Sequence, residues 1–100
     1  MRYAIRVHEL AATELEKLRV FDERMIVSAI EDQLSDQPTR PTRRRKCLTA
    51  LTPTFEHVPP VWELRVGTFR VFYDVDELLQ QVHVRAVRRK EPNQTTEEIL

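Results

Sequence analysis

Cysteine occurs once in the 100 residues, at Cys47, so no internal disulfide can form and a reducing cytoplasm is the expected location. No Cys/His spacing matches a zinc site. Long apolar runs are missing too. None approaches the ~18 uncharged residues that span a bilayer, so no membrane association is expected. The opening MRYAIRVHEL alternates like a strand and lacks the apolar block of a signal peptide. Glycine also occurs once, at Gly67, and there are no repeats or low-complexity segments beyond one arginine run.

Net charge is absent as well, with 16 Lys and Arg against 16 Asp and Glu, but the charges are unevenly placed. Residues 1–36 hold five basic and eight acidic side chains, whereas residues 37–61 hold five basic ones against Glu56 alone. Residues 62–90 carry six basic and four acidic residues, and the last ten carry three acids. A neutral chain can thus present a basic side to a polyanion. With 41% hydrophobic and 32% charged residues, the chain reads as one soluble globular domain over residues 1–100.

The stretch VWELRVGTFRVFYDV, residues 61–75, organises the rest. It alternates, stops at Gly67-Thr68 and alternates again, as a strand, a tight turn and a second strand do. Glycine first in a two-residue loop suits a type II′ turn. The implied register sets Val66 opposite Phe69, Arg65 opposite Arg70, Leu64 opposite Val71, Glu63 opposite Phe72 and Trp62 opposite Tyr73. One face then carries Trp62, Leu64, Val66, Phe69, Val71 and Tyr73, a core-facing set. The other carries Glu63, Arg65, Arg70, Phe72 and Asp74. Two arginines directly opposite each other repel, a cost that a bound anion would relieve.

Around this hairpin, Arg2–His8 reads as a strand with Tyr3, Ile5 and Val7 on one face. A helix from Glu9 follows, with Ala11, Ala12, Leu15, Leu18 and Phe21 sharing a side. Asp22 is the expected N-cap of a second helix striped by Ile26, Ala29, Ile30 and Leu34, which Gln37-Pro38 ends. Residues 38–46, PTRPTRRRK, form a basic loop, and Cys47, Leu48 and Leu51 tuck under the domain. Thr52–Pro60 is an irregular connection. A last strand spans Gln81–Arg88, with Val82, Val84 and Ala86 inward and His83, Arg85 and Val87 outward, and the alternation carries Arg89 outward too. Thr95 or Thr96 caps a short C-terminal turn. The expected fold is α+β, in the order β-α-α-β-β-β, with an antiparallel sheet and the helical hairpin on one face.

The face opposite the helices would then hold Glu63, Arg65, Arg70, Phe72, His83, Arg85 and Arg89. Cross-strand ion pairs on a solvated face would account for such a surface. The excess of arginine near the turn and the adjacent run Arg43, Arg44, Arg45 and Lys46 favour phosphate instead. Phe72 would offer a stacking surface for an unpaired base, a combination that reads single-stranded RNA.

WELRVGTFRVFYDV, preceded by RRRKCL and followed by VHVRAVRRK, resembles the RelE/ParE superfamily, the toxins of type II toxin–antitoxin pairs. The likeness covers essentially the whole chain. For RelE-type members it implies a metal-independent endoribonuclease, without cofactor, that cleaves mRNA in the ribosomal A site by attack of a 2′-hydroxyl on the adjacent phosphate. It also implies a cognate antitoxin as partner. By this resemblance Arg70 holds the scissile phosphate, Arg65 matches a basic position on the preceding strand, and Arg89, or Arg88 with a register shift, matches the basic residue at the end of the last strand. Glu63 stands where RelE-type enzymes have a lysine and serves as the base or simply pairs with Arg70. His83 is a second acid–base candidate, and no C-terminal tyrosine is present. Arg43, Arg44, Arg45, Lys46, Phe72, Arg85 and Lys90 would contact RNA. A ParE-like inhibitor of DNA gyrase and a non-toxic member that only binds its antitoxin are the alternatives.

Overall fold

The computed structural model describes residues 2–100, which fold as a five-stranded sheet with two helices on one face. The elements are β1 (Ala4–Val7), α1 (Glu9–Glu16), α2 (Val20–Leu34), β2 (Arg45–Leu48), β3 (Val61–Val66), β4 (Phe69–Asp76), β5 (Gln81–Arg89) and α3 (Thr96–Ile99). The strand order is β1-β5-β4-β3-β2. All neighbours are antiparallel except β1, which runs parallel to β5. The expected α+β architecture therefore holds, with β2 as an added edge strand where the end of the basic loop was expected. No described helix is long and apolar enough to cross a membrane.

The central hairpin has the expected register at all five pairs from Trp62↔Tyr73 to Val66↔Phe69. Gly67 takes φ +57°, the left-handed value that the first turn position requires. Ile26, Ile30 and Leu34 of α2 and Ala11 and Leu15 of α1 pack on Trp62, Leu64, Val71, Tyr73 and Val84. Burying side chains of this size is worth roughly 1.5–3 kcal/mol each. Tyr73 lies at the centre, fully buried, its hydroxyl donating to the Pro38 carbonyl at 2.7 Å, and burial pushes its phenol pKa up.

Two local expectations change at the helices. Arg19, not Asp22, precedes α2, and Asp22 sits in the first turn within 3.4 Å of Arg19 Nε, where its carboxylate faces the positive end of the helix. Phe21, placed on the apolar side by helical spacing, is 72% exposed, because the chain turns between α1 and α2 and the stripe does not run on.

The larger correction lies in β5. Phe72 pairs with Ala86 but Tyr73 pairs with Val84, so Arg85 is an extra residue in a β-bulge. One inserted residue reverses the faces beyond it. Ala86 thus joins Phe72 on the face away from the helices, and Val87 enters the main core.

That second face is not bare. Phe55 of the irregular connection and Ile99 of α3 cover its middle, forming a second cluster with Leu48, Val61, Phe72 and Ala86. The connection thereby finds its path, and α3 is held in place by a capping box in which Thr95 and Glu98 bond reciprocally.

Candidate functional site

One opening on the second face lies at the hairpin-turn end. Alternation along β3 and β4 puts Glu63, Arg65 and Arg70 on this side, and β2 pairing sets Lys46 directly opposite Glu63. The chain leaving β5 brings Lys90, whose amide donates to the Thr68 carbonyl at 2.7 Å, and α3 brings Thr96. These six residues, with Arg43 and Arg44 on the rim, line a cleft of about 270 Å³.

Glu63 is buried at 4% exposure, an unusual position for a carboxylate among so many cations. Thr96 Oγ1 donates to its Oε2 at 2.9 Å, and Lys46 Nζ lies 3.5 Å from its Oε1. The expected pairing partner was Arg70, but Lys46 fills that role. Arg70 instead folds along the turn, its Nη1 donating to the carbonyls of Gly67 (2.9 Å) and Phe69 (2.8 Å). Burial, and after it the Arg65 charge, lower the Arg70 pKa, with Glu63 acting in the opposite sense. An arginine so placed still keeps its proton at neutral pH. Arg65 is exposed and faces Arg70 across the strands, the like-charge pair expected from the register. The cleft therefore combines a fixed carboxylate with cations that lack enough acidic partners nearby.

Other candidate residues are placed elsewhere. Phe72 is fully buried in the second cluster against Phe55 and presents no face to a base. Arg85 points into the bulge, its Nε 2.7 Å from Asp74 Oδ2 and its Nη2 3.2 Å from Oδ1, and it is buried there, closed to RNA. Arg45 turns to the helix side, where its Nη1 donates to the carbonyls of Gln33 and Gln37 at the end of α2. That role stabilises a helix terminus, not a phosphate. Arg89 falls on the Phe69 side by the register shift, its guanidinium 4.7 Å from that ring, while Arg88 takes the position opposite Arg70. Arg88 is occupied: it pairs with Glu14 and donates to the Ile99 carbonyl. His83 lies on the far side of the bulge from the cleft, its Nδ1 2.8 Å from His8 Nε2.

Thr96 and His8 were not legible as site or network members. Each meets its partner across more than thirty residues of chain. The only local signal was the capping role open to Thr95 or Thr96.

The sheet thus carries helices on one face and, at one end of the other, a cleft rich in arginine and lysine that contains a buried carboxylate. The sequence matches the family model of the ParE toxin of type II toxin–antitoxin systems over residues 5–92. The chain belongs to this family, within the RelE/ParE toxin superfamily. Among solved structures it is similar to the toxin–antitoxin complex RelBE2 from Mycobacterium tuberculosis, at 23% identity and a TM-score of 0.72, covering 90% of this chain and 93% of that one. It is also similar to the archaeal RelE–RelB complex from Pyrococcus horikoshii OT3, at 18% identity and a TM-score of 0.69, covering 92% and 99%. No curated protein sequence matches it.

Proposed function

We propose that this toxin arrests translation by cleaving mRNA on the ribosome, with the cleft around Glu63 as its catalytic centre. The observation that carries the reading is a buried carboxylate, held by Thr96 and Lys46, among Arg65, Arg70 and Lys90. Glu63 accepts the proton of the 2′-hydroxyl as its oxygen attacks the adjacent phosphorus. The 5′ oxygen leaves with a proton supplied by a lysine of the cleft, giving a 2′,3′-cyclic phosphate and a 5′-hydroxyl. Arg70 and Arg65 hold the phosphate and offset the charge that builds on it. Arg43, Arg44 and Lys46 extend the contact along the backbone. Arg85, Phe72, Arg45, Arg89 and His83 have no part in it.

The partner is a cognate antitoxin. The two similar structures are toxin–antitoxin complexes, and an acidic segment of such a partner would complement the cleft. Action on the ribosome, checked by an antitoxin, is action in the cytoplasm.

The test is to induce the chain without its antitoxin and map new mRNA 5′ ends. Glu63→Gln should lower cleavage by roughly 10²–10⁴-fold, the contribution typical of a general base, and Arg70→Ala should abolish growth arrest in a protein that remains folded. Growth arrest with no new 5′ ends would reject the reading. The match to the ParE model favours a second one, inhibition of DNA gyrase by binding alone. Gyrase-dependent DNA breaks with intact mRNA would select it.

A further inference from the structure

Beside the catalytic cleft lies a larger one of about 600 Å³, to which the mechanism assigns nothing. Its floor is Met25 and Ala29 of α2 with Val66 of β3, and Gly67, which lacks a side chain, opens its end. Gln33 stands on the α2 wall. Arg43, Arg44 and Arg65 line both clefts, so a chain of phosphates leaving the smaller one runs directly into the larger.

We propose that this second cleft receives the nucleoside adjoining the scissile phosphate and sets the base preference of cleavage. The inference rests on the RNA-cleavage reading and extends it. Three observations argue for a nucleoside. The lining contains no acid, so all its charge favours an anionic strand. The floor is apolar, with the Met25 thioether available to a ring face. Gln33, the one neutral polar side chain of the wall, donates one amide hydrogen to Asp32 Oδ2 at 3.0 Å and keeps a second donor and its carbonyl acceptor for a base edge. The volume lies within the range of small-molecule sites. An acidic peptide would satisfy the arginines but leave the apolar floor and the amide unmatched.

The experiment maps cleavage sites on mRNA in a ribosome-dependent reaction for the wild type, Ala29→Trp and Gln33→Glu, with melting temperatures recorded for each. Ala29→Trp fills the floor, and Gln33→Glu reverses the character of the wall at a half-buried position that tolerates charge. The expected result is a tenfold or larger change in base frequency next to the cleaved bond in either folded variant. If the wild type cleaves and both variants cut the same positions at the same frequencies, the nucleoside assignment is overturned while the cleavage reading stands. The assignment fails equally if the cleavage pattern persists and the variants lose only their affinity for a glutamate-rich peptide. A wild type that cuts no RNA overturns both.

Discussion

Removing the Asp74 carboxylate tests whether Arg85 belongs to the structure or to a binding surface. Asp74 is 2% exposed, and its two oxygens meet Arg85 at 2.7 and 3.2 Å. Oδ2 also accepts the Val58 amide at 3.0 Å, which pins the irregular connection to β4. In Asp74→Ala the guanidinium keeps Glu56 Oε1 at 3.4 Å, a contact screened by the 89% exposure of the Glu56 side chain. Breaking one half of a buried pair costs about 3–5 kcal/mol, and leaving the Val58 amide without its acceptor adds about 1 kcal/mol. A domain of this size has roughly 5–15 kcal/mol in all, so about a quarter or more of its stability should go. Asp74→Leu combined with Arg85→Met should cost far less than the two single changes added, because no lone charge is left buried. Equilibrium urea denaturation at pH 7, followed by circular dichroism, measures both quantities. If Asp74→Ala costs under about 1 kcal/mol, or if the double variant equals the sum of the singles, the pair is an ordinary solvated contact. Arg85 would then be free for a ligand, and its exclusion from the RNA-binding surface would fail.

Three further outcomes follow from the geometry. Arg85 Nη1 lies 3.4 Å from His8 Nδ1, and since arginine only donates, His8 accepts there and carries its proton on Nε2, toward His83. Burial first, then the Arg85 and His83 charges, lower the His8 pKa, with Asp74 and Glu56 acting in the opposite sense. A lowered folded-state value means that stability is full above the unfolded value of about 6.5 and falls as the pH drops through it. Melting temperature should therefore decline from roughly pH 7.5 to 5.5, and His8→Gln should flatten that slope; an unchanged slope would refute the assignment. Phe72→Ala should cost about 3–5 kcal/mol in urea titrations, since the ring is fully buried, whereas an exposed stacking residue would cost almost nothing. Gly67→Ala should cost about 1–2 kcal/mol from its left-handed backbone alone, because the nearest atom to a new Cβ, Met25 Cε, is 4.0 Å away. A chemical midpoint equal to that of the wild type would argue against the turn conformation.

The elements and the hairpin were legible because they rest on local periods. Alternation from Trp62 to Tyr73 can be satisfied by one register only, with the large apolar side chains on one face, and the single glycine fell where the turn needs it. That register also put Glu63, Arg65 and Arg70 on one side, and the basic run near them, which is most of the cleft. Arg43, Arg44, Lys46 and Lys90 joined it, whereas Arg45 borders the cleft with its guanidinium turned away to the end of α2, because side chains alternate across β2.

What only the tertiary structure decided begins at Arg85. A bulge is the insertion of one residue against a partner strand, and nothing in VHVRAVRRK marks it, so the faces of Ala86, Val87, Arg88 and Arg89 could not be read from spacing. The cover over Phe72 was equally hidden, because it comes from Phe55 and Ile99, distant in sequence and set in irregular or short elements. Thr96 reached Glu63, and His8 reached His83, for the same reason: side chains far apart in the chain meet only once the sheet has closed around its core. Sequence determines which residues alternate. Which of them end up buried, paired or open to a ligand depends on what packs over each face.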